Sequence, residues 1–235
     1  MINALLLSNS TMPGTSFFTW PVPWVKKFLQ AGHKEVVFVP FAAVTISFRE
    51  YSDKVEEAFG SMGIRVTSLH ASADMAQSLS NAGAIVVGGG NTFALLAALY
   101  QNSCVDIIRR KVQEGVPYIG WSAGANLACP TIMTTNDMPV VQPPTFEALG
   151  LVPFQINPHY HELRFEGQGG ETRKERLEEF LVMNPGKKVI GLPEGMFLQR
   201  NGDKLFLGGT GTATLYLSRS DIRVLAAGAD LSFLL

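Results

Sequence analysis

The chain has 235 residues, 46% of them hydrophobic, which is ample for one large domain with a continuous core. Its 19 basic residues nearly balance 20 acidic ones, and a net charge of −1 gives no general field to attract nucleic acid or an anionic membrane. Only Cys104 and Cys129 are present, which argues against a disulfide framework. With no basic leader or membrane-length apolar run at the N-terminus, this favours a soluble, cytoplasmic protein.

Residues 4–8 read as a short buried strand, and a turn-rich stretch follows at 9–14. Further apolar runs at 36–40, 65–69, 84–87 and 116–120 supply four more strands. Between them, residues 48–62, 75–81, 92–101 and 105–114 carry helical spacing. Continuous apolar strands alternating with amphipathic helices predict a doubly wound α/β fold, a mostly parallel sheet with helices on both faces. A long polar, proline-rich loop is expected at 134–144, of the kind that often serves function, and a charged helix at 172–183. Runs at 188–192, 196–201, 204–207 and 213–217 make the C-terminal third strand-rich and are expected to complete the same sheet system. Asn201-Gly202-Asp203 marks a hairpin there.

Chemistry concentrates at Gly120-Trp121-Ser122-Ala123-Gly124, a G-x-S-x-G pentad after the fifth apolar run. Such a serine sits on a sharp strand-to-helix turn, with its hydroxyl exposed beside backbone N–H groups and the positive end of a helix. A serine hydroxyl needs a base to take its proton. Of the four histidines, His33 and His70 read as solvated or capping side chains. His159 and His161 follow the apolar run 151–156 and an Asn157-Pro158 turn, and His159 is favoured because Pro158 directly constrains it. Two acids qualify to orient that base: Glu194, held between Pro193 and Gly195, and Asp137, in the long loop. Spacing does not choose between them.

The chain order serine, histidine, glutamate departs from that of the α/β-hydrolases. His159-x-His161 offers two metal ligands at most, so no metal is expected. Gly88-Gly89-Gly90, at another strand end, lacks the lysine-serine ending of a P-loop. It is better suited to present a backbone N–H to an oxyanion, opposite that of Ala123.

Taken together, the blocks 5–10, 38–42, 86–93, 118–130, 134–139, 155–159, 170–173 and 190–195 resemble the peptidase E, or α-aspartyl dipeptidase, family, whose relatives include the cyanophycinases. They cover most of the chain in order, the stretch after about residue 211 resembling it least. The resemblance implies a fold similar to class I glutamine amidotransferases and a cofactor-free serine peptidase that releases N-terminal aspartate from Asp-X dipeptides. It implies Ser122 as nucleophile, His159 as base and Glu194 as third member, with Asp137 keeping a competing claim as a charge-relay or supporting residue.

A site selective for aspartate needs a cation for its side chain, and Arg173, in a matching block, is the candidate. Gly90 and Ala123 are the expected oxyanion donors. Asn91 either binds substrate or caps the following helix, and the 134–144 loop is expected to form a rim or lid. Two alternatives stand beside this reading: a cyanophycinase-like or isoaspartyl peptidase acting on β-linked bonds, and a non-catalytic binding module on the same scaffold. The partner expected is a small peptide, with neither nucleic acid nor membrane; monomer and homodimer are both open.

Overall fold

The structure, a computed structural model, describes residues 1–29, 32–164, 167 and 169–235. Its first half runs β1 (Asn3–Leu7), α1 (Val22–Leu29), β2 (Glu35–Val39), α2 (Phe48–Gly60), β3 (Arg65–Ser68), α3 (Met75–Ser80), β4 (Ile85–Val87), α4 (Thr92–Gln101), α5 (Val105–Gln113), β5 (Tyr118–Trp121) and α6 (Ala123–Leu127). The second half runs β6 (Gln155–Pro158), α7 (Arg173–Met183), β7 (Val189–Leu192), β8 (Met196–Asn201), β9 (Lys204–Gly209), β10 (Thr212–Tyr216) and β11 (Ile222–Ala226).

Among the described residues these strands form two sheets. The larger has the order β3-β2-β4-β5-β1-β8-β9, with its first five strands parallel and the β8–β9 hairpin antiparallel on the edge. Successive side chains of a strand point to opposite faces, and both faces here are apolar. Leu6, Val37, Val39, Ile85 and Val87 pack on one side with Leu95 and Leu96 of α4 and Ile108 of α5. Leu5, Leu7, Val36, Phe38 and Val86 pack on the other with Val25 of α1 and Val55 and Phe59 of α2. Burying each such side chain stabilises the fold by about 1.5–3 kcal/mol, which is why these strands read as unbroken apolar runs. The expected doubly wound α/β sheet is the fold observed.

The second sheet, of order β11-β10-β7-β6, departs from the expectation that the C-terminal strands complete the first. Only β8 and β9 do so. β6 and β7 are parallel, β10 and β11 extend them antiparallel, and α7 packs Leu177 and Leu181 against Tyr160, Val189 and Tyr216. The pattern also concealed two elements. In α1, Pro23 lies in the first turn, where a missing N–H breaks no bond. β11 is mostly exposed and offers little apolar signal.

Asn157-Pro158, expected as a turn, is instead the end of β6. Proline is tolerated there because β6 is an edge strand. The 134–144 loop covers that edge with side chains in place of a strand. Thr134 Oγ1 donates to the Ile156 carbonyl at 2.9 Å, Asn136 Nδ2 to the Pro158 carbonyl at 2.8 Å, and Asn157 Nδ2 to the Thr134 carbonyl at 2.8 Å.

Candidate active site

Five strand ends line one cavity of about 820 Å³, at the carboxyl edge where open α/β sheets bind ligands, and a sixth carries Glu194 to the His159 ring. Ser122 follows β5, Gly90 follows β4, Ser8 and Asn9 follow β1, Ala42 follows β2, His159 follows β6, and Glu194 follows β7.

The pentad is a strand, a one-residue turn and a helix. Ser122 has φ 52° and ψ −111°, a region that L-residues seldom occupy and that costs about 1–3 kcal/mol. Two backbone bonds hold it there: its N–H donates to the Leu7 carbonyl at 3.0 Å, and its carbonyl accepts from the Asn126 N–H at 2.9 Å. The flanking glycines are needed for space. A Cβ on Gly120 would lie 2.4 Å from the Gly124 carbonyl oxygen, and one on Gly124 would lie 2.3 Å from that of Val87. Helix α6 can therefore approach the sheet only with glycine at both positions.

Ser122 Oγ lies 2.9 Å from His159 Nε2, and His159 Nδ1 lies 2.7 Å from Glu194 Oε1. His159, too, has a positive φ of 53°. Its peptide is clamped from both sides. The N–H donates to Ser8 Oγ at 2.9 Å, and the carbonyl accepts from Arg173 Nη1, which also reaches the Pro158 carbonyl at 3.2 Å.

Glu194 sits in a turn closed by the Met196 N–H on the Pro193 carbonyl at 3.2 Å. Buried Asn9 fixes that turn by accepting the Gly195 N–H at 2.9 Å. Ser8 and Asn9 are thus positioning residues that sequence reasoning passed over. Their signal was two polar residues directly after a buried strand, legible only once the strand ends are known to converge.

Asp137 has a different place. Its Oδ2 accepts from the Thr92 N–H at 2.7 Å and the Thr92 hydroxyl at 2.5 Å, so it caps the start of α4. The competing claim of Asp137 on His159 is therefore corrected: Glu194 is the acid at the ring, and Asp137 lines the same cavity from the start of α4. Asn91 is the N-cap of α4, accepting from the Ala94 N–H at 3.0 Å while its Nδ2 donates to the Met138 carbonyl at 2.8 Å. The second bond pins the loop, which forms a rim of the cavity through Asp137, Met138 and Val140.

The Gly-rich break passes close beneath the serine. The Gly89 N–H is hydrogen-bonded to the Tyr51 hydroxyl, which also accepts from Trp121 Nε1 at 2.9 Å. Burial pushes the Tyr51 phenol well above its ordinary value, so it stays neutral. Gly90 has φ +135°, and a Cβ there would lie 2.2 Å from the Ala42 carbonyl oxygen. Among the described residues, the N–H groups of Gly90 and Ala123 have no protein acceptor.

Arg173 lines the cavity beside His159, half-buried, and loss of hydration lowers its pKa from the ordinary value while Glu194 and Asp137 pull it back up. His161 sits near Arg173, where burial first and the guanidinium second hold its pKa down. His33 bonds the Leu29 carbonyl at 2.7 Å, and His70 bonds Ser68 Oγ at 2.7 Å, away from the cavity. Among the described residues no three metal-ligating side chains cluster, both cysteines are buried and free, and no helix is long and apolar enough to cross a membrane.

A family model for peptidase family S51 matches residues 4–208. The chain belongs to peptidase family S51. This S51 member is a serine-type dipeptidase. It is 47% identical to a peptidase E from Nostoc sp. over 91% of this chain and 87% of the relative. With a peptidase E from Shewanella denitrificans it shares 44% identity over 98% of both chains. A peptidase E from Salmonella paratyphi A is 46% identical over 95% of this chain and 97% of that one. Among solved structures, a peptidase from an acI-B1 Actinobacterium superposes with a TM-score of 0.73 at 18% identity, covering 99% of this chain and 98% of that one, a likeness of fold.

Proposed function

We propose that this S51 peptidase hydrolyses α-linked Asp-X dipeptides through an acyl-enzyme on Ser122, with His159 as general base and Glu194 orienting it. The chain of two hydrogen bonds, Ser122 Oγ to His159 Nε2 and His159 Nδ1 to Glu194 Oε1, carries the reading. Glu194 accepts a hydrogen bond from Nδ1–H, which leaves the Nε2 lone pair facing the serine, and it stabilises the imidazolium formed when Nε2 takes the serine proton.

In the first half-reaction the Ser122 hydroxyl gives its proton to His159 and its oxygen bonds to the aspartyl carbonyl carbon. The resulting oxyanion meets the N–H groups of Gly90 and Ala123, the latter at the positive end of α6. Collapse breaks the C–N bond, and His159 delivers the proton to the leaving amine. Water then repeats the sequence, with His159 accepting its proton and returning it to Ser122, and free aspartate leaves. Every proton moves between protein groups, substrate and water.

Arg173 is placed by this reading against the aspartyl side chain. One nitrogen holds the Pro158 and His159 carbonyls, and the rest of its planar fork meets no acceptor among the described residues. That leaves donors for a carboxylate, to which guanidinium binds strongly. The relatives' shared name, peptidase E, supports the same substrate class.

The test compares α-Asp-Leu with β-Asp-Leu and measures covalent mass on Ser122 during turnover. Cleavage of the α-linked dipeptide, with a serine-bound aspartyl adduct, is expected. Cleavage of the β-linked dipeptide alone would transfer the protein to the isoaspartyl class, and no turnover of either would favour a binding module.

A further inference from the structure

The cavity lined by Ser122 and Arg173 is also lined by Lys54 of α2. Among the described residues, its charged lining, apart from His159, consists of Arg173, Asp137 and Lys54. Lys54 stands three residues after Tyr51 on α2, so the two side chains share a helix face. The path across the cavity can be followed through contacts: Arg173 holds the His159 peptide, the His159 ring meets Ser122, and Trp121, next to Ser122, donates to Tyr51. Along this chain of contacts Ser122 falls between the two cations.

Lys54 is exposed and has no ion pair among the described residues. Glu50, one turn earlier, is held by Ser47 in the capping box of α2, through the Ser47 N–H at 2.9 Å and hydroxyl at 2.8 Å. The wall beside Lys54 is apolar. Phe17, Val44 and Ile46 line it, and Val44 and Ile46 are 56% and 37% exposed, without a protein partner that covers them.

An Asp-X dipeptide carries two carboxylates and one ammonium, and the cavity offers two cations and one anion. Resting on the Asp-X reading, we propose that Lys54 binds the C-terminal carboxylate of the leaving residue, with Phe17, Val44 and Ile46 receiving an apolar side chain. With the aspartyl carboxylate at Arg173 and the scissile carbonyl at Ser122, the leaving residue extends toward α2, and its carboxylate meets the ammonium there. A longer peptide puts a neutral amide at that point, so Lys54 is a length gauge that favours dipeptides. A lysine suits the task because its ammonium is a point charge on a flexible stem, able to follow leaving residues of different shape.

The experiment measures kcat/KM for Asp-Leu and for Asp-Leu-amide, which lacks only the terminal charge, in the wild type, Lys54→Met and Lys54→Arg. The wild type is expected to favour the free acid by about tenfold or more. Lys54→Met should lose that preference by slowing the acid while leaving the amide within about twofold, mainly through KM, and Lys54→Arg should keep most of it. An acid-to-amide ratio unchanged in Lys54→Met, or an equal fall for both substrates, overturns the proposal. Wild-type protein that cleaves neither substrate overturns the aspartyl dipeptidase reading and this inference with it, whereas active wild type with an unmoved ratio overturns the inference alone.

Discussion

The Ser8 hydroxyl carries His159: it accepts the histidine's N–H at 2.9 Å and donates to the Leu192 carbonyl at 2.8 Å. One buried side chain at the end of β1 thereby ties β6 to β7, the strands that present the base and its carboxylate. Ser8→Ala leaves the His159 N–H without its acceptor, which costs about 1–3 kcal/mol, while the Leu192 carbonyl keeps the Tyr160 N–H at 3.1 Å. Displacement of a catalytic group by about 1 Å can cost about a hundredfold in rate. Urea unfolding and steady-state kinetics on Asp-Leu should show both losses, with kcat falling more than KM rises; unchanged kcat would show that Ser8 does not position the ring.

Removing the nucleophile separates chemistry from backbone strain. Ser122→Ala and Ser122→Gly should each lose about 10⁴-fold or more in kcat, as a triad loses activity when its nucleophile goes. Glycine alone relieves the positive φ, worth about 1–3 kcal/mol, against about 0.5–1 kcal/mol of added chain entropy. Thermal unfolding should therefore find Ser122→Gly at least as stable as Ser122→Ala. The reverse order would mean that the 52° φ is not strained.

Glu194 and Asp137 should differ in what they lose. Glu194→Gln disturbs the tautomer of His159 and the stabilisation of its cation, and kcat should drop by about 10²–10⁴ with little change in stability, since Glu194 is 40% exposed. Asp137→Asn weakens the cap of α4, an interaction worth about 1 kcal/mol. It should lower the unfolding midpoint and raise KM while kcat stays within about tenfold. A larger kcat loss in Asp137→Asn than in Glu194→Gln would reverse the two assignments.

Arg173 is expected to serve both the substrate and the His159 peptide. A charged hydrogen-bonded pair is worth about 1.5–3 kcal/mol, so Arg173→Met should cut the preference for Asp-Leu over Asn-Leu by about 10–100-fold. Because the His159 clamp is lost as well, kcat should fall on both substrates. Unchanged discrimination, measured as the ratio of kcat/KM values, would remove Arg173 from aspartate recognition.

Much of this was legible before any coordinates. Five apolar runs and four helical spacings gave the parallel sheet because strands buried on both faces must be continuously apolar. The helix at α1 stayed hidden behind Pro21 and Pro23, and β11 behind its exposure. His159 was favoured over His161 from the Pro158 constraint beside it, and the end of β6 bears that ranking out by bringing the His159 ring to Ser122.

The sequence by itself determined the serine, its elbow and the order of its partners, because those depend on local backbone demands: glycines where a helix meets a strand, and a nucleophile at the turn. Which carboxylate serves His159 is a matter of tertiary structure. Glu194 lies 35 positions from His159 in the sequence and Asp137 22, yet the more distant one meets the ring, because separation along the chain says nothing about separation in space. The pairing of β6 with β7 brings Glu194 to the ring, and the start of α4 draws Asp137 to Thr92. Ser8 and Asn9 likewise gain their roles only where the strand ends meet.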